Sequence, residues 1–168
     1  MVIGPEPTRE RIREESYALL VQRGVAGLSM RALADRLQIK ASSLYKHVRD
    51  KDEIVADLQA RGLEELAAAL VAAGPWPSAA ARAYRTWALD NRPLYEICMR
   101  RPLLRHRLPE GLERDVTAMI IALTGQGHEH ARAVWGLVHG LVDLELSGRF
   151  PESADLDTTW RHAIAMIR

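Results

Sequence analysis

Hydrophobic residues recur at the spacing of an amphipathic helix along most of the chain. Between Thr8 and about Arg23, for example, Ile12, Leu19 and Leu20 fall on one face. Alternating runs of polar residues with β-branched or aromatic residues, which are typical of strands, are missing. The pattern therefore predicts an all-α fold.

Capping residues and helix breakers divide this pattern into nine predicted helices. Four residues stand where an N-cap is expected: Thr8, Ser29, Asp50 and Ser78. Asp50 also forms a capping-box-like pair with Glu53, and Gly24 marks the end of the first helix. The predicted helices span residues 8–23, 29–37, 41–47, 50–73, 78–90, 93–99, 110–123, 128–147 and 156–167.

The second and third predicted helices have the pattern of a helix-turn-helix. Ala34 is small enough to let the two helices approach closely, and a short turn separates them. The apolar set that faces their shared core is Leu33, Leu37, Ile39, Leu44 and Val48. The outward positions are Lys40, Ala41, Ser42, Ser43, Tyr45, Lys46 and His47. Small side chains let such a helix enter a major groove, where hydroxyls and bases reach base edges and phosphates.

Charge is distributed unevenly, although the net charge is only +1. Residues 1–51 carry ten basic and six acidic side chains, whereas the remainder carries an excess of acid. All three lysines, Lys40, Lys46 and Lys51, lie on or beside the predicted third helix. This compact cationic face favours phosphate as a partner, and the alternative is a solvated surface with scattered bases.

At these residues the chain resembles a known family. Residues 28–34 (Leu-Ser-Met-Arg-Ala-Leu-Ala) and 42–51 (Ser-Ser-Leu-Tyr-Lys-His-Val-Arg-Asp-Lys) closely resemble the DNA-binding end of TetR-type transcriptional regulators. Gln38 is a departure, because such proteins usually have glycine at this turn position, which is often left-handed. We expect a three-helix DNA-binding domain over 1–51, a linking helix over 51–73 and a second helical domain over 74–168.

The resemblance implies roles for individual residues. Bases would be addressed by Arg31, Lys40, Ala41, Ser42 and Ser43, with Lys46 adding affinity for DNA of any sequence. Backbone phosphates would be contacted by Ser29, Tyr45, His47 and Lys51. Three of these residues have structural alternatives, because Ser29 suits an N-cap, His47 a place beneath the turn and Tyr45 a half-core position.

The rest of the chain resembles the class of TetR-type C-terminal domain that a Trp, His and Gly signature marks, here residues 135–140 (Trp-Gly-Leu-Val-His-Gly). The predicted helix there is apolar almost all round between Ala133 and Val142, and Gly136 and Gly140 permit close backbone approach. One side would face its own core. The other side would meet the same helix of a second subunit, because two-fold contacts are the commonest oligomer interface. We expect a homodimer in which the final helix also takes part.

Large or flexible side chains with a few polar tips are predicted to face inward in this domain: Trp87, Tyr95, Met99, Met119, Trp135 and His139. They suit a mostly apolar cavity for a small ligand, and they equally suit an ordinary helical core. With the family resemblance, they predict a repressor that a small apolar effector releases from a palindromic operator. The long linking helix would act as the lever between the ligand and the DNA.

No other chemistry is favoured by the sequence. His128 and His130 point to different faces of a helix, so neither a metal site nor a cofactor is expected. The nucleophile elbow, the phosphate loop and the zinc-hydrolase signature are missing, so we expect no enzyme. The single cysteine, Cys98, is expected to be a small buried hydrophobe, and the basic run over residues 100–107 an exposed loop.

Sequence features also bear on location and on the rival functions. No apolar stretch reaches the roughly 20 residues of a membrane-spanning helix, and residues 1–7 lack the pattern of a secretory signal. A single cysteine fits a reducing compartment, so a cytoplasmic protein is expected. Two alternatives stay open: a DNA-binding protein that responds to no ligand, and an enzyme that uses the C-terminal pocket.

Overall fold

The computed structural model describes residues 8–167, and within that range it contains nine α-helices, one 3₁₀ turn and no strand. The all-α prediction is confirmed. Residues 1–7, in which no secretory signal is expected, lie outside the described residues. The helices are α1 (Arg9–Gly27), α2 (Met30–Leu37), α3 (Ala41–Leu44), α4 (Lys51–Ala73), α5 (Pro77–Asp90), α6 (Arg92–Met99), α7 (Leu112–Thr124), α8 (Gly127–Leu146) and α9 (Leu156–Ala165), with the 3₁₀ turn at Arg105–Arg107.

Most helix ends lie close to their predicted positions, but three differ. The helix of α1 continues to Gly27, with a kink at Gly24, whose φ of 64° and ψ of −177° are not helical. The prediction that Ser78 caps α5 is wrong, because Trp76 occupies the cap and Pro77 begins the helix. A proline fits the first helical position, where no N–H is needed. The third difference is α3, which ends at Leu44 rather than at residue 47.

Side-chain caps fix the starts of several helices, among them α1, α2 and α9. The hydroxyl of Thr8 accepts a hydrogen bond from the backbone N–H of Arg11, and that of Ser29 accepts one from Ala32 at 3.1 Å. The carboxylate of Asp155 caps α9 in the same way. Each cap satisfies an N–H that has no partner within its helix, which typically contributes about 1 kcal/mol. The predicted N-caps at Thr8 and Ser29 are therefore confirmed.

The chain divides into two compact units. The first contains residues 8–62 and 93–110, and the second contains residues 63–92 and 111–167. The helix-turn-helix and the segment that follows α6 thus belong to the same unit. The core of this first unit contains the buried side chains of Ile12, Leu19, Leu20, Leu33, Leu37, Leu44, Ile54 and Leu58.

A buried glutamine joins α4 to the segment after α6 in the first unit. The amide nitrogen of Gln59 donates to the carbonyls of Ile97 and Pro102, at 3.0 and 3.1 Å, and its oxygen accepts from the N–H of Leu104 at 3.0 Å. Because a buried amide without partners would be costly, these three bonds fix the path of the segment. Cys98 is buried beside it, as expected, against Gly62, where a Cβ would lie only 2.3 Å from its sulfur.

In the second unit α5 packs against α7, α8 and α9. An arginine links three of these helices: Arg85 donates to both oxygens of Glu145, at 2.8 and 3.0 Å, and to Asp157 at 2.8 Å. Glu145 also accepts from the indole N–H of Trp160 at 2.9 Å. This network satisfies polar groups that lie partly inside the helical packing. Of the helices in residues 8–167, none is both long and apolar enough to cross a membrane.

Candidate nucleic-acid interface and ligand cavity

The helix-turn-helix core forms as predicted. Leu33, Leu37, Ile39, Leu44 and Val48 are all buried. Ala34, the small residue of α2, is also buried, so the backbones of α2 and the following turn can lie close together. This packing leaves the remaining positions of α3 and the turn facing solvent.

The turn between α2 and α3 depends on a left-handed residue. Gln38 has φ 59° and ψ 36°, and it is the one non-glycine residue with positive φ in the described range. The N–H of the next residue, Ile39, donates to the carbonyl of Ala34 at 3.0 Å, which closes the end of α2. The left-handed conformation that is typical of this turn position in the family is therefore kept without a glycine, at a steric cost of roughly 1 kcal/mol that glycine would avoid.

The structure places the ten predicted DNA-contacting residues on α2, on α3 with its flanking turns, and at the first residue of α4, all in the first unit. Eight of them are exposed: Ser29, Arg31, Lys40, Ala41, Ser42, Tyr45, Lys46 and Lys51. Ser43 and His47 are half-buried. The side chain of Tyr45 is 54% exposed, so it does not take the half-core position that was the structural alternative to a DNA contact. Ser29 is used as an N-cap, and its side chain is nevertheless exposed.

The lysines of this surface form no ion pairs within the described part of the chain. Lys40, Lys46 and Lys51 are exposed, and no carboxylate of residues 8–167 forms an ion pair with any of them. Such cations are free to meet an external anion, and Lys51 also stands at the N-terminus of α4, where the helix dipole favours negative charge. The surface is thus suited to phosphate.

Two acidic residues at the start of α4, Asp50 and Glu53, are by contrast hydrogen-bonded within the protein. Asp50 accepts from the N–H of Glu53 at 2.9 Å, which is half of the predicted capping box. The other half differs, because the Glu53 side chain accepts from the N–H of Arg49 instead of Asp50. The hydrogen bond from Arg107, on the 3₁₀ turn, lowers the pKa of Asp50 below its ordinary range. Sequence reasoning missed Arg107, because nothing near it in sequence indicates a contact with α4.

The second unit contains a small apolar cavity, which is partly open. Its volume is about 50 Å³, and it is lined by Leu70, Pro77, Ala80, Ala81, Tyr84, Ile120, Leu123, Thr124, Val134, Trp135 and Val138. No lining side chain carries a charge. The polar atoms of two lining residues are already bonded, since the Tyr84 hydroxyl lies 3.0 Å from Nδ1 of His139 and the Thr124 hydroxyl donates to the carbonyl of Ile121.

Of the six predicted ligand-binding residues, Trp135 lines this cavity. His139 does not line the cavity, but it contacts two residues that do: it is hydrogen-bonded to Tyr84 and stacked on Trp135, with 5.8 Å between ring centroids. Trp87 is buried beside Tyr84, and its indole N–H has no hydrogen-bond partner in the described range. Met119 is half-buried on α7 and outside the lining set. The remaining two predicted residues are Tyr95 and Met99.

Tyr95 and Met99 do not line the cavity. Both lie on α6, in the part of that helix that belongs to the first unit. Tyr95 is buried there, with the guanidinium of Arg100 5.9 Å from its ring centroid. The sequence did not predict this placement. The hydrophobic face of α6 predicts which of its residues are buried, but it does not indicate the unit in which they pack. Tyr84, which the sequence analysis did not select, lines the cavity instead.

The C-terminal helices leave an apolar face uncovered. A Cβ added at Gly136 or Gly140 on α8 would meet no atom within 4 Å. Leu144, one turn further along α8, is 42% exposed, and Met166 after α9 is 72% exposed. Within residues 8–167, therefore, the two glycines make no close approach to another element and the face has no partner.

Comparison with known proteins matches both parts of the chain to one family. Residues 12–58 match "Bacterial regulatory proteins, tetR family", and residues 78–167 match "Tetracyclin repressor-like, C-terminal domain". A TetR family member from Streptomyces coelicolor A3 has a similar fold, with a TM-score of 0.65 at 24% identity over 95% of each chain. The second match alone covers more than half of the sequence.

Two curated relatives illustrate the range of similarity. An HTH-type transcriptional regulator of Mycobacterium tuberculosis strain H37Rv is 30% identical over 166 residues, which is 90% of this chain and 74% of the relative. One from Saccharopolyspora erythraea is 49% identical over 51 residues, which is 30% of this chain. The chain spans 22% of the length of the latter protein, and 53% of three further mycobacterial relatives.

The helix-turn-helix geometry, the all-α architecture and the two family matches agree with one another. The relatives are transcriptional regulators, and the members of this family are DNA-binding regulators rather than enzymes. The chain belongs to the TetR family of bacterial regulatory proteins.

Proposed function

We propose that the protein is a DNA-binding transcriptional repressor that acts as a homodimer on a palindromic operator and leaves it when a small apolar effector binds. The observation that carries the proposal is the surface around α3. Three exposed lysines, which form no ion pair with a carboxylate of residues 8–167, flank the short side chains of Ala41, Ser42 and Ser43, two of which carry hydroxyls. Uncompensated cations supply affinity for phosphates, and small polar groups can read base edges in a major groove. With DNA as its partner, the protein would work in the cytoplasm.

The uncovered face of α8 supports the dimeric part of the proposal. Gly136, Gly140 and Leu144 leave apolar surface and open space where the helix of a second copy can pack closely. A two-fold dimer would present two copies of α3, which fit major grooves separated by about 34–36 Å or a multiple of it. The operator should therefore be two-fold symmetric.

The cavity of the second unit restricts the chemistry of the effector. Its wall offers no charged side chain, and the hydroxyls of Tyr84 and Thr124 already have hydrogen-bond partners. A charged ligand would lose its hydration there without compensation. Since one water needs about 10–15 Å³ of such space, a cavity of about 50 Å³ suits an uncharged molecule of roughly one ring.

The coupling between ligand and DNA would pass through α4. This helix has 23 residues, or about 34 Å at 1.5 Å per residue, and its N-terminal part belongs to the first unit and its C-terminal part to the second. An effector that prefers the conformation with wrongly spaced recognition helices would lower DNA affinity. The coupling free energy is typically 1–3 kcal/mol.

The experiment that tests the proposal has two steps. The purified protein first selects duplexes from a random DNA pool, and the best duplex is then titrated with matched uncharged and charged single-ring compounds. We expect selective binding, and release of the DNA by uncharged compounds but not by their charged analogues. A selected duplex that no compound releases would favour the alternative, a DNA-binding protein without an effector. Binding without any sequence preference would contradict the proposal.

A further inference from the structure

The recognition helix α3 is too short to hold its own position. It has four residues, Ala41–Leu44, and the next three residues form a turn. An isolated helical turn fixes several backbone dihedrals for few hydrogen bonds and is unstable alone. The orientation of α3 therefore depends on contacts that other elements make with it and with the turn that follows it, residues 45–47.

One such contact comes from the first residue of α1. Nη1 of Arg9 donates to the backbone carbonyl of His47 at 3.0 Å and to Glu53 at 2.7 Å, while Nη2 donates to Asp57 at 2.9 Å. Glu53 and Asp57 are one turn apart on α4. A single guanidinium thus joins the end of the recognition turn to two points on the helix that follows it.

The charge of Arg9 is paired with carboxylates of the protein itself. Its two carboxylate partners are mostly buried, with exposed side-chain fractions of 17% for Glu53 and 15% for Asp57. The exposed lysines around α3 have no such partners among residues 8–167. Arg9 also stands at the N-terminus of α1, where a cation is unfavourable to the helix dipole, so α1 itself does not benefit from it.

We propose that Arg9 is a positioning residue for sequence recognition, which holds the turn behind α3 against α4 and does not itself contact DNA. The planar fork of an arginine can bond the His47 carbonyl and both carboxylates at once, whereas the ammonium of a lysine is a point charge on a flexible stem. Arg9→Lys therefore keeps the charge and loses the geometry. The inference rests on the proposed DNA binding.

Arg13 provides a matched control. It lies one turn further along α1, and its side chain is 50% exposed. Of the three partners of Arg9 it contacts only Asp57, with 3.5 Å between its Nη2 and the carboxylate oxygen Oδ1. The experiment compares the wild type with Arg9→Lys, Arg9→Gln and Arg13→Lys. Each protein is titrated with the best duplex that the wild type selects from a random pool, and with a random duplex of equal length, at several salt concentrations.

We expect Arg9→Lys and Arg9→Gln to bind the selected duplex about five- to tenfold more weakly, with random DNA changed less than about twofold. The slope of log affinity against log salt should stay the same, because no phosphate contact is lost. Arg13→Lys should leave both affinities unchanged. Equal losses on both duplexes with a shallower salt slope would mean that Arg9 touches phosphate, and would overturn the inference.

Hydrogen exchange separates positioning from a general loss of stability. The N–H groups of His47 and Val48 bond to the carbonyl of Leu44, so their exchange reports on the recognition turn. In Arg9→Lys these amides should exchange faster, while the amides of the buried α1 residues Leu19 and Leu20 stay as in the wild type. Unchanged exchange at His47 and an unchanged preference for the selected duplex would overturn the inference. A wild type that selects no sequence would instead defeat the proposed function, before any variant is measured.

Discussion

The hydroxyl oxygen of Tyr84 lies 3.0 Å from Nδ1 of His139, so the aromatic wall of the cavity is bonded across α5 and α8. The ring of Trp135 completes this wall, packed edge-on to Tyr84 at 5.0 Å and stacked on His139. A ligand in the cavity would therefore meet aromatic surface whose polar group is already engaged. Recognition there would depend on shape and apolar contact.

Trp135→Ala should abolish release of DNA by an effector while leaving DNA binding within about twofold. The substitution removes an aromatic wall of the cavity in the second unit, whereas α3 belongs to the first unit. Trp76→Ala is the control, because that indole is 70% exposed and outside the cavity. The measurement is the effector concentration that releases half of the protein from the selected duplex. Normal release from Trp135→Ala would show that the effector binds elsewhere.

Lys51→Ala and Ser43→Ala should affect DNA binding in different ways. Loss of the lysine should weaken binding to all duplexes similarly and reduce the salt slope by about one, because a phosphate contact is lost. Loss of the Ser43 hydroxyl should weaken the selected duplex more than random DNA. Arg82→Ala, an exposed cation of the second unit, is the control. If the lysine and serine variants behaved alike, the sorting into phosphate and base contacts would be wrong.

Leu144→Arg and Gly140→Arg should convert the dimer to a monomer. Either change places a charged side chain on the uncovered face of α8, where the partner helix would have to bury it. Sedimentation at micromolar concentration measures the result. Val71→Arg is the matched control, since Val71 is equally apolar and 66% exposed but lies on α4. Dimers that survive both α8 substitutions would place the interface on another face.

Gln38→Gly should raise the free energy of unfolding by up to about 1 kcal/mol, because glycine adopts the φ of 59° without a steric penalty. Urea unfolding of the wild type and the variant measures the difference. Asp35→Gly, at an exposed helical position of α2, should instead lower stability by up to about 1 kcal/mol. A decrease in Gln38→Gly as well would mean that the glutamine side chain itself stabilises the turn.

The first unit should lose stability in acid. Burial acts to raise the pKa of Glu53, but hydrogen bonds from the Arg49 N–H and from Arg9 outweigh it and leave the pKa below the ordinary value of 4.5. A carboxylate whose folded pKa is lowered stabilises the fold above the unfolded pKa. That contribution is lost as the pH falls below about 4.5 and through the folded value.

Glu53→Gln provides the test of this acid dependence. Its free energy of unfolding should fall less steeply between pH 5 and 3 than that of the wild type, as measured by urea unfolding at each pH. Part of the dependence should persist, because Asp50 and Asp155 also have lowered pKa values. The same slope in both proteins would show that the Glu53 hydrogen bonds do not stabilise the fold.

Local patterns were sufficient to predict much of the fold. The cap at Ser29 and the buried Leu44 each depend on a few neighbouring residues, and each was correctly predicted. The left-handed turn at Gln38 followed from the family resemblance instead. Contacts between distant segments were not predictable in this way. Nothing in the basic run over 100–107 indicates that Arg107 bonds Asp50, and the face of α6 does not show that Tyr95 packs in the first unit. Trp135 was correctly placed in the cavity wall, but Tyr84 was missed for the same reason, since it meets Trp135 only through packing.

Two copies of this chain should read a two-fold symmetric DNA site through α3. The measurement is a footprint of the protein on the duplex that it selects from a random pool. We expect two protected major-groove segments, related by two-fold symmetry and separated by one helical turn of DNA, about 10–10.5 base pairs, or a multiple of it. A single protected segment without symmetry, or uniform protection that salt removes, would contradict it.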